Sequence, residues 1–193
     1  MSNPLLQIIV GSTRPGRAGL SIAHWIEKAA VEHGAFDVEL VDLAEVGLPL
    51  LDEPNHPRLR QYTKDHTKAW SATVDRADAF VVVMPEYNHS FNGALKNAID
   101  FLFHEWAHKP VGTVSYGGVA GGIRAVQQLK PVLAALSMVP MVAAVPIPFF
   151  AQHLSGEGDE RTFTPNDEVA AGATAMLDAL AGWIPASRTL RAG

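Results

Sequence analysis

Residues 10 to 19 read VGSTRPGRAG, an apolar run giving way to glycine, hydroxyl and guanidinium groups ahead of a helical pattern. Gly11 and Gly16 have the GxxxxG spacing of a nucleotide loop, but Arg17 and Ala18 stand where that loop needs lysine and a hydroxyl. No side chain is then placed for a terminal nucleotide phosphate and none for magnesium. The GxGxxG of a dinucleotide fold is also missing. What remains is a row of main-chain N–H groups at a helix start, the hydroxyls of Ser12 and Thr13, and the guanidinium groups of Arg14 and Arg17. That combination suits a phosphate monoester.

Two further stretches carry uncommon chemistry. PEYNHSFNG, starting at Pro85, offers an aromatic face and amide groups, suited to a flat heteroaromatic ring read partly through main-chain atoms. SYGGVAGG, starting at Ser115, leaves the backbone bare at Gly117 and Gly118, so it can approach a ring edge and donate N–H groups where negative charge develops on reduction. Each stretch has an ordinary reading when taken alone: a solvated turn for GSTRPGRAG, a turn built on Tyr87 and Asn88, and flexible helix entry for the glycines. A fourth stretch, HEWAH at 104–108, matches the HExxH of zinc proteases. It ends a short helical pattern directly before Lys109 and Pro110, so a continuous helix carrying two ligands one turn apart is not expected, and no metal is assigned. Core packing and a subunit contact are the roles expected of Trp106 and its neighbours.

These stretches need elements to position them. Apolar, mostly β-branched runs recur at Leu5 to Val10, Phe36 to Asp42, Ala79 to Met84, Val111 to Tyr116 and Met141 to Ile147. Several are apolar on both faces, as strands inside a parallel sheet are. Helical stripes alternate with them: Ile22, Ala23, Ile26, Ala29 and Ala30; Leu95, Ala98, Ile99, Leu102 and Phe103; Val126, Leu129, Leu133 and Leu136, with a kink expected at Pro131. Val169, Ala173, Met176, Leu177, Leu180 and Ile184 form the last stripe. A weaker helical pattern from Arg60 to Ala77 follows a Pro-rich loop, Gly47 to Pro57, and the polar stretch from Pro148 to Asp167 is a long loop and a candidate lid. The alternation predicts one α/β domain over residues 1–193, a doubly wound parallel sheet of five strands with helices on both faces; a flavodoxin-like order, 2-1-3-4-5, is the arrangement that would set the first and third strands at the switch point.

In such sheets ligands sit beyond the carboxyl ends of the strands, where the strand order reverses. The three stretches follow the first, third and fourth strands, so all of them fall at that edge. A phosphate at one end and a flat ring at the other describes FMN. Composition narrows the alternatives: a net charge of −5 gives no basic footprint for nucleic acid or an anionic membrane, and the absence of cysteine excludes disulfides, thiolate metal sites and a cysteine nucleophile. With no leader pattern at MSNP and no apolar run long enough to span a bilayer, a cytoplasmic protein is expected.

GSTRPGRAG, PEYNHSFNGALKNAIDFL and SYGGVAGG together resemble the NAD(P)H-dependent FMN reductases of flavodoxin-like fold, including their quinone reductases. The resemblance implies that Ser12, Arg14 and Arg17, with the N–H groups of Ala18 and Gly19, hold the FMN phosphate. It implies that Pro85, Glu86, Tyr87 and Asn88, with Ser115, Gly117 and Gly118, frame the isoalloxazine, Glu86 acting through its main chain without proton transfer. It further implies NADPH or NADH as co-substrate, a ping-pong oxidoreductase passing a hydride to a quinone, flavin or other acceptor, and a homodimer or tetramer paired through the helix around Leu95 to Trp106. A non-enzymatic flavin-binding electron carrier or redox sensor is the alternative from another class. Two residues depart from the family pattern: Asn92 stands in place of a common proline and is expected to loosen the helix start, and Ala18 in place of a common serine removes one hydroxyl.

Overall fold

The computed structural model describes residues 3–192. Four strands, β1 (Leu5–Val10), β2 (Asp37–Asp42), β3 (Ala79–Pro85) and β4 (Pro110–Tyr116), pair in parallel in the order β2-β1-β3-β4. The fifth position is split into β5 (Val139–Pro140), paired with the start of β4, and β6 (Val145–Ile147), paired with its end. The expected single run from Met141 to Ile147 therefore does not form. Pro140, Pro146 and Pro148 lack the N–H that a continuous ladder needs, which confines pairing here to short edge pieces.

Period-two alternation sends the strand residues to two cores. Ile8, Val10, Val81, Val83 and Val114 face α1 (Gly19–His33) and α6 (Asp167–Ala192), while Ile9, Phe80, Val82 and Met84 face the opposite layer. That layer contains α3 (Asp65–Asp75), α4 (Gly93–Asp100) and α5 (Ile123–Ala135); a four-residue turn, α2 (Leu43–Val46), follows β2. Every residue of β3 and β4 is buried, which explains why their sequences are apolar on both faces. The helical stripes read from the sequence are buried except for Ala29 and Phe103, which are partly buried, and they include all six residues of the α6 stripe. By length and hydropathy alone α6 could cross a bilayer, contrary to expectation, yet this stripe packs on β4, β6 and α1.

The weaker pattern resolves into a shorter α3. The entry to it is held by Glu53 of the preceding loop, whose carboxylate accepts from the N–H groups of Thr63 and of the N-cap Lys64. Burial opposes ionisation there, but these bonds outweigh it and hold the Glu53 carboxyl down at about 2. The long stretch after β6 contains a short hairpin, β7 (Leu154–Ser155) with β8 (Thr162–Phe163), and Phe163 packs its ring 5.1 Å from that of Trp25 on α1.

Register is what brings the three loops to one edge. Val10 lies beside Val83, and Pro85 beside Tyr116, so β3 and β4 end together and β1 ends two residues short of them. The alignment continues past the strands: the Gly11 N–H donates to the Val83 carbonyl at 2.9 Å, and the Glu86 N–H to the Tyr116 carbonyl at 3.0 Å.

Candidate functional site

At that edge Arg14, Arg17 and Ala18, then Pro85, Glu86 and Tyr87, then Tyr116 and Gly117 line one cavity of about 180 Å³, closed on one side by Phe150. The three stretches singled out in the sequence thus meet. Ser12 is buried and outside the cavity lining, and its hydroxyl lies 3.4 Å from the phenol oxygen of Tyr87, which links the first loop to the second.

Within the first loop the two arginines differ. Arg14 is exposed and free to turn toward an anion in the cavity. Arg17 is ion-paired with Asp42, at the end of β2, so its orientation is fixed by a partner 25 residues away. Its Nε is buried without a protein partner among the described residues. Ala18 is the N-cap of α1 and contributes no side-chain bond, and Gly19 begins the helix. The first N–H groups of a helix have no intrahelical acceptor, so this end of the cavity holds donors and positive charge with little to accept them.

The second loop is a tight turn. Tyr87 and Ser90 exchange both main-chain hydrogen bonds, and the two residues between them, Asn88 and His89, have φ of 51° and 68°. Asn88 is exposed and outside the cavity lining, so its place is explained by tolerance of the left-handed region. The Glu86 carboxylate turns to the start of α5, accepting from the Arg124 N–H and from its guanidinium Nε at 2.6 Å. Burial raises the carboxyl's affinity for its proton, but the Arg124 bonds and charge prevail and keep it ionised below the ordinary glutamate range. Glu86 is therefore a brace between the second and third loops, and offers no proton to a ligand.

In the third loop Ser115 is turned away: its hydroxyl donates to the Gly121 carbonyl at 2.9 Å, and it packs against Gly122. Its neighbour Tyr116, on the opposite face of β4, enters the cavity instead. Gly117 lines the cavity, whereas Gly118 accepts the N–H groups of Gly121 and Phe149 and shapes the turn. Tyr116 and Phe150 were not among the residues expected at the site. The alternation of β4 could have found the first; Phe150 comes from the stretch after β6, with no local motif.

Asn92 corrects another expectation. As N-cap of α4 it is buried, and its side-chain amide donates to the Gly11 carbonyl, tying α4 to the first loop rather than loosening the helix start. A Cβ on residue 11 would stand 3.1 Å from the Val83 carbonyl and 3.3 Å from Asn92, so a larger residue would push these two segments apart by a few tenths of an ångström.

HEWAH lies far from this edge. His104–Trp106 is one 3-10 turn and His108 has φ 62°, so the two histidines are not carried on one continuous helix. Glu105 is buried, its carboxylate accepting from Tyr62 at 3.0 Å and from Ser71 at 2.7 Å. Trp106 is 2% exposed and packs on Phe80 and Trp70, so it belongs to the core and is not available for a subunit contact.

The residues at the carboxyl edge fit FMN in their chemistry: helix-start donors with Arg14 and the orphaned Arg17 Nε at one end, and Tyr87, Gly117 and Phe150 around a slot at the other. Comparison with known proteins points the same way. Residues 4–152 match the family of NADPH-dependent FMN reductases. The chain is 42% identical over 149 residues to an NAD(P)H-dependent FMN reductase of Schizosaccharomyces pombe, covering 75% of this chain and 74% of the other. It is 31% identical over 139 residues to an NAD(P)H:quinone oxidoreductase of Solanum tuberosum, covering 68% and 69%. Among solved structures, the flavoenzyme NAD(P)H:(acceptor) oxidoreductase of Paracoccus denitrificans superposes with a TM-score of 0.74 at 24% identity, over 95% of this chain and 98% of that one, a likeness of fold. Matched over most of its length and carrying the three loops at the edge where they converge, the chain belongs to the family of NADPH-dependent FMN reductases and is an oxidoreductase that works with FMN and NAD(P)H.

Proposed function

We propose that this chain passes a hydride from NAD(P)H through FMN to a quinone, a free flavin or another acceptor, by ping-pong turnover. The observation that carries this reading is the convergence of the loops after β1, β3 and β4 on one cavity. Bound FMN supplies the hydride chemistry; the protein supplies position and electrostatics. Ser12, Arg14 and Arg17, with the N–H groups of Ala18 and Gly19, hold the phosphate. Pro85, Glu86 and Tyr87, with Asn88 through the turn it builds, set one side of the ring. Gly117, with Gly118 and Ser115 behind it as shapers of the loop, sets the other.

Glu86, the carboxylate that lines the cavity, is a poor acid because Arg124 holds it ionised and a poor base because the same contacts occupy its oxygens and lower its affinity for a proton. This agrees with a reaction that needs no protein acid or base. Tyr87 is 39% exposed, leaving an open approach that donor and acceptor would use in turn. Initial rates with varied NADPH and a benzoquinone test the scheme: parallel double-reciprocal lines are expected, and intersecting lines would replace ping-pong with a ternary complex. An electron carrier would show flavin reduction by a partner but negligible NAD(P)H oxidation.

A homodimer or tetramer and a cytoplasmic location are part of the same reading. A groove of about 630 Å³ runs between α4 and α5, lined by Leu51, Ile99, Leu102, Phe103, Val132 and Leu136, with Arg58, Lys96 and Asp100 beside them. It is the face through which two copies would pair, with Phe103 and not Trp106 at its end. Sedimentation of wild-type protein and Phe103→Glu tests it, a dimer reduced to monomer being the expected change.

A further inference from the structure

The cavity contains one hydroxyl that loop spacing does not assign, that of Tyr116. This residue ends β4, is 4% exposed, and meets Phe150 edge-on with ring centroids 5.2 Å apart, so its ring has one position. Its hydroxyl crosses to the start of α1: a Cβ on Gly19 would stand 2.7 Å from the phenol oxygen. The phenol therefore occupies space that only glycine leaves at residue 19, directly beside the helix-start N–H groups. The N-cap itself is Ala18, which has no side-chain donor or acceptor.

We propose that the Tyr116 hydroxyl is a direct donor to the flavin phosphate, reaching in from β4 to supply the hydroxyl that residue 18 lacks. The inference rests on the FMN reading of the cavity. Donation requires a protonated phenol, and burial together with the nearby Tyr87 holds the Tyr116 proton well beyond the ordinary phenol range, against the opposing influence of Ser12, Arg14 and Arg17. Its role is binding and orientation, with no part in hydride transfer.

The test compares FMN with riboflavin, which has the same ring and no phosphate, by fluorescence titration of flavin-free protein. For Tyr116→Phe the dissociation constant for FMN should rise on the order of 10-fold while that for riboflavin stays unchanged, since a hydrogen bond to a charged group is lost. Adding Ala18→Ser should bring FMN binding back to within about threefold of wild type, because a serine at the N-cap returns a hydroxyl to the same place. Equal losses for both flavins, or no loss for either, would overturn the proposal and leave Tyr116 a packing residue. A loss confined to FMN that Ala18→Ser does not recover would contradict the exchange of one hydroxyl for the other. Wild-type protein that binds neither flavin would instead remove the reading beneath it. Far-ultraviolet circular dichroism of each variant confirms that the fold is kept.

Discussion

The two ends of this sheet make opposite use of similar residues. At the amino end, charge is abundant and consumed: Asp78 accepts from Arg188, Arg191 and the Leu5 N–H, Lys109 donates to the carbonyls of Val74 and Asp75, and Glu105 is taken by Tyr62 and Ser71. At the carboxyl end, Arg14 is exposed, Arg17 has a buried Nε without a partner, and the helix-start donors face a cavity. A pattern such as HEWAH supplies the right residue types, yet its carboxylate has no capacity left. The contrast teaches that unspent hydrogen-bonding capacity, more than residue type, marks a place for a ligand.

That contrast can be broken by substitution. The largest effects should come from Trp106→Ala at one end and Arg17→Ala at the other. Trp106→Ala removes a buried ring and should cost about 3–5 kcal/mol in urea unfolding, with flavin affinity unchanged in the protein that remains folded. Arg17→Ala leaves Asp42 buried without its cation and should cost about 3 kcal/mol while also weakening FMN. If Arg17→Ala left flavin binding intact, the arginine would be a brace for β2 only.

A pH experiment probes the amino end. Burial, then the charge of Arg191, pushes Lys109 down to about 8 from 10.5, so between those values the unfolded chain holds a proton that the folded chain has released. Stability should therefore rise with pH across that window, by about 3 kcal/mol relative to Lys109→Met, which has no proton to lose. Denaturation curves that stay parallel from pH 8 to 10.5 would mean that the ammonium is not buried as described.

Arg14→Ala separates the two arginines. With no internal partner to orphan, it should leave the melting temperature within error and weaken FMN by about 1.5–3 kcal/mol, an effect absent with riboflavin. The smallest change is expected from replacing His104 and His108 together by Ala: within about 0.5 kcal/mol in stability and none in flavin content. Loss of a zinc-dependent activity in that variant would restore HEWAH as a site.

Much of this arrangement is legible in the residues, and what is not has a common cause. Strand runs and helix stripes are local patterns, so the α/β class, both cores and the placing of three loops at strand carboxyl ends follow from them, while the strand order comes with the flavodoxin-like resemblance. Long-range pairings leave no spacing to read. Asp42 lies 25 residues from Arg17 and Gly11 lies 81 from Asn92, so neither the brace on the first loop nor the tie to α4 could be anticipated. The same holds for Glu86, whose carboxylate is claimed by an arginine 38 residues on. Ser115 is implied by the family resemblance, but the alternation of β4 turns it toward the Gly121 carbonyl and brings Tyr116 into the cavity instead. Of the two roles expected of Trp106, core packing and a subunit contact, the fold keeps the first, seating the ring on Phe80 where a partner does not reach it.

The central claim is that the loops after β1, β3 and β4 form one FMN site, and the absorbance of the purified protein between the near ultraviolet and the blue tests it most directly, followed by mass analysis of what heat releases. Flavin bands, intrinsic or after adding FMN, with FMN as the released species at one per chain, are the predicted result. A colourless protein that takes up no added FMN would contradict the account and leave the three loops as a site for some other phosphate.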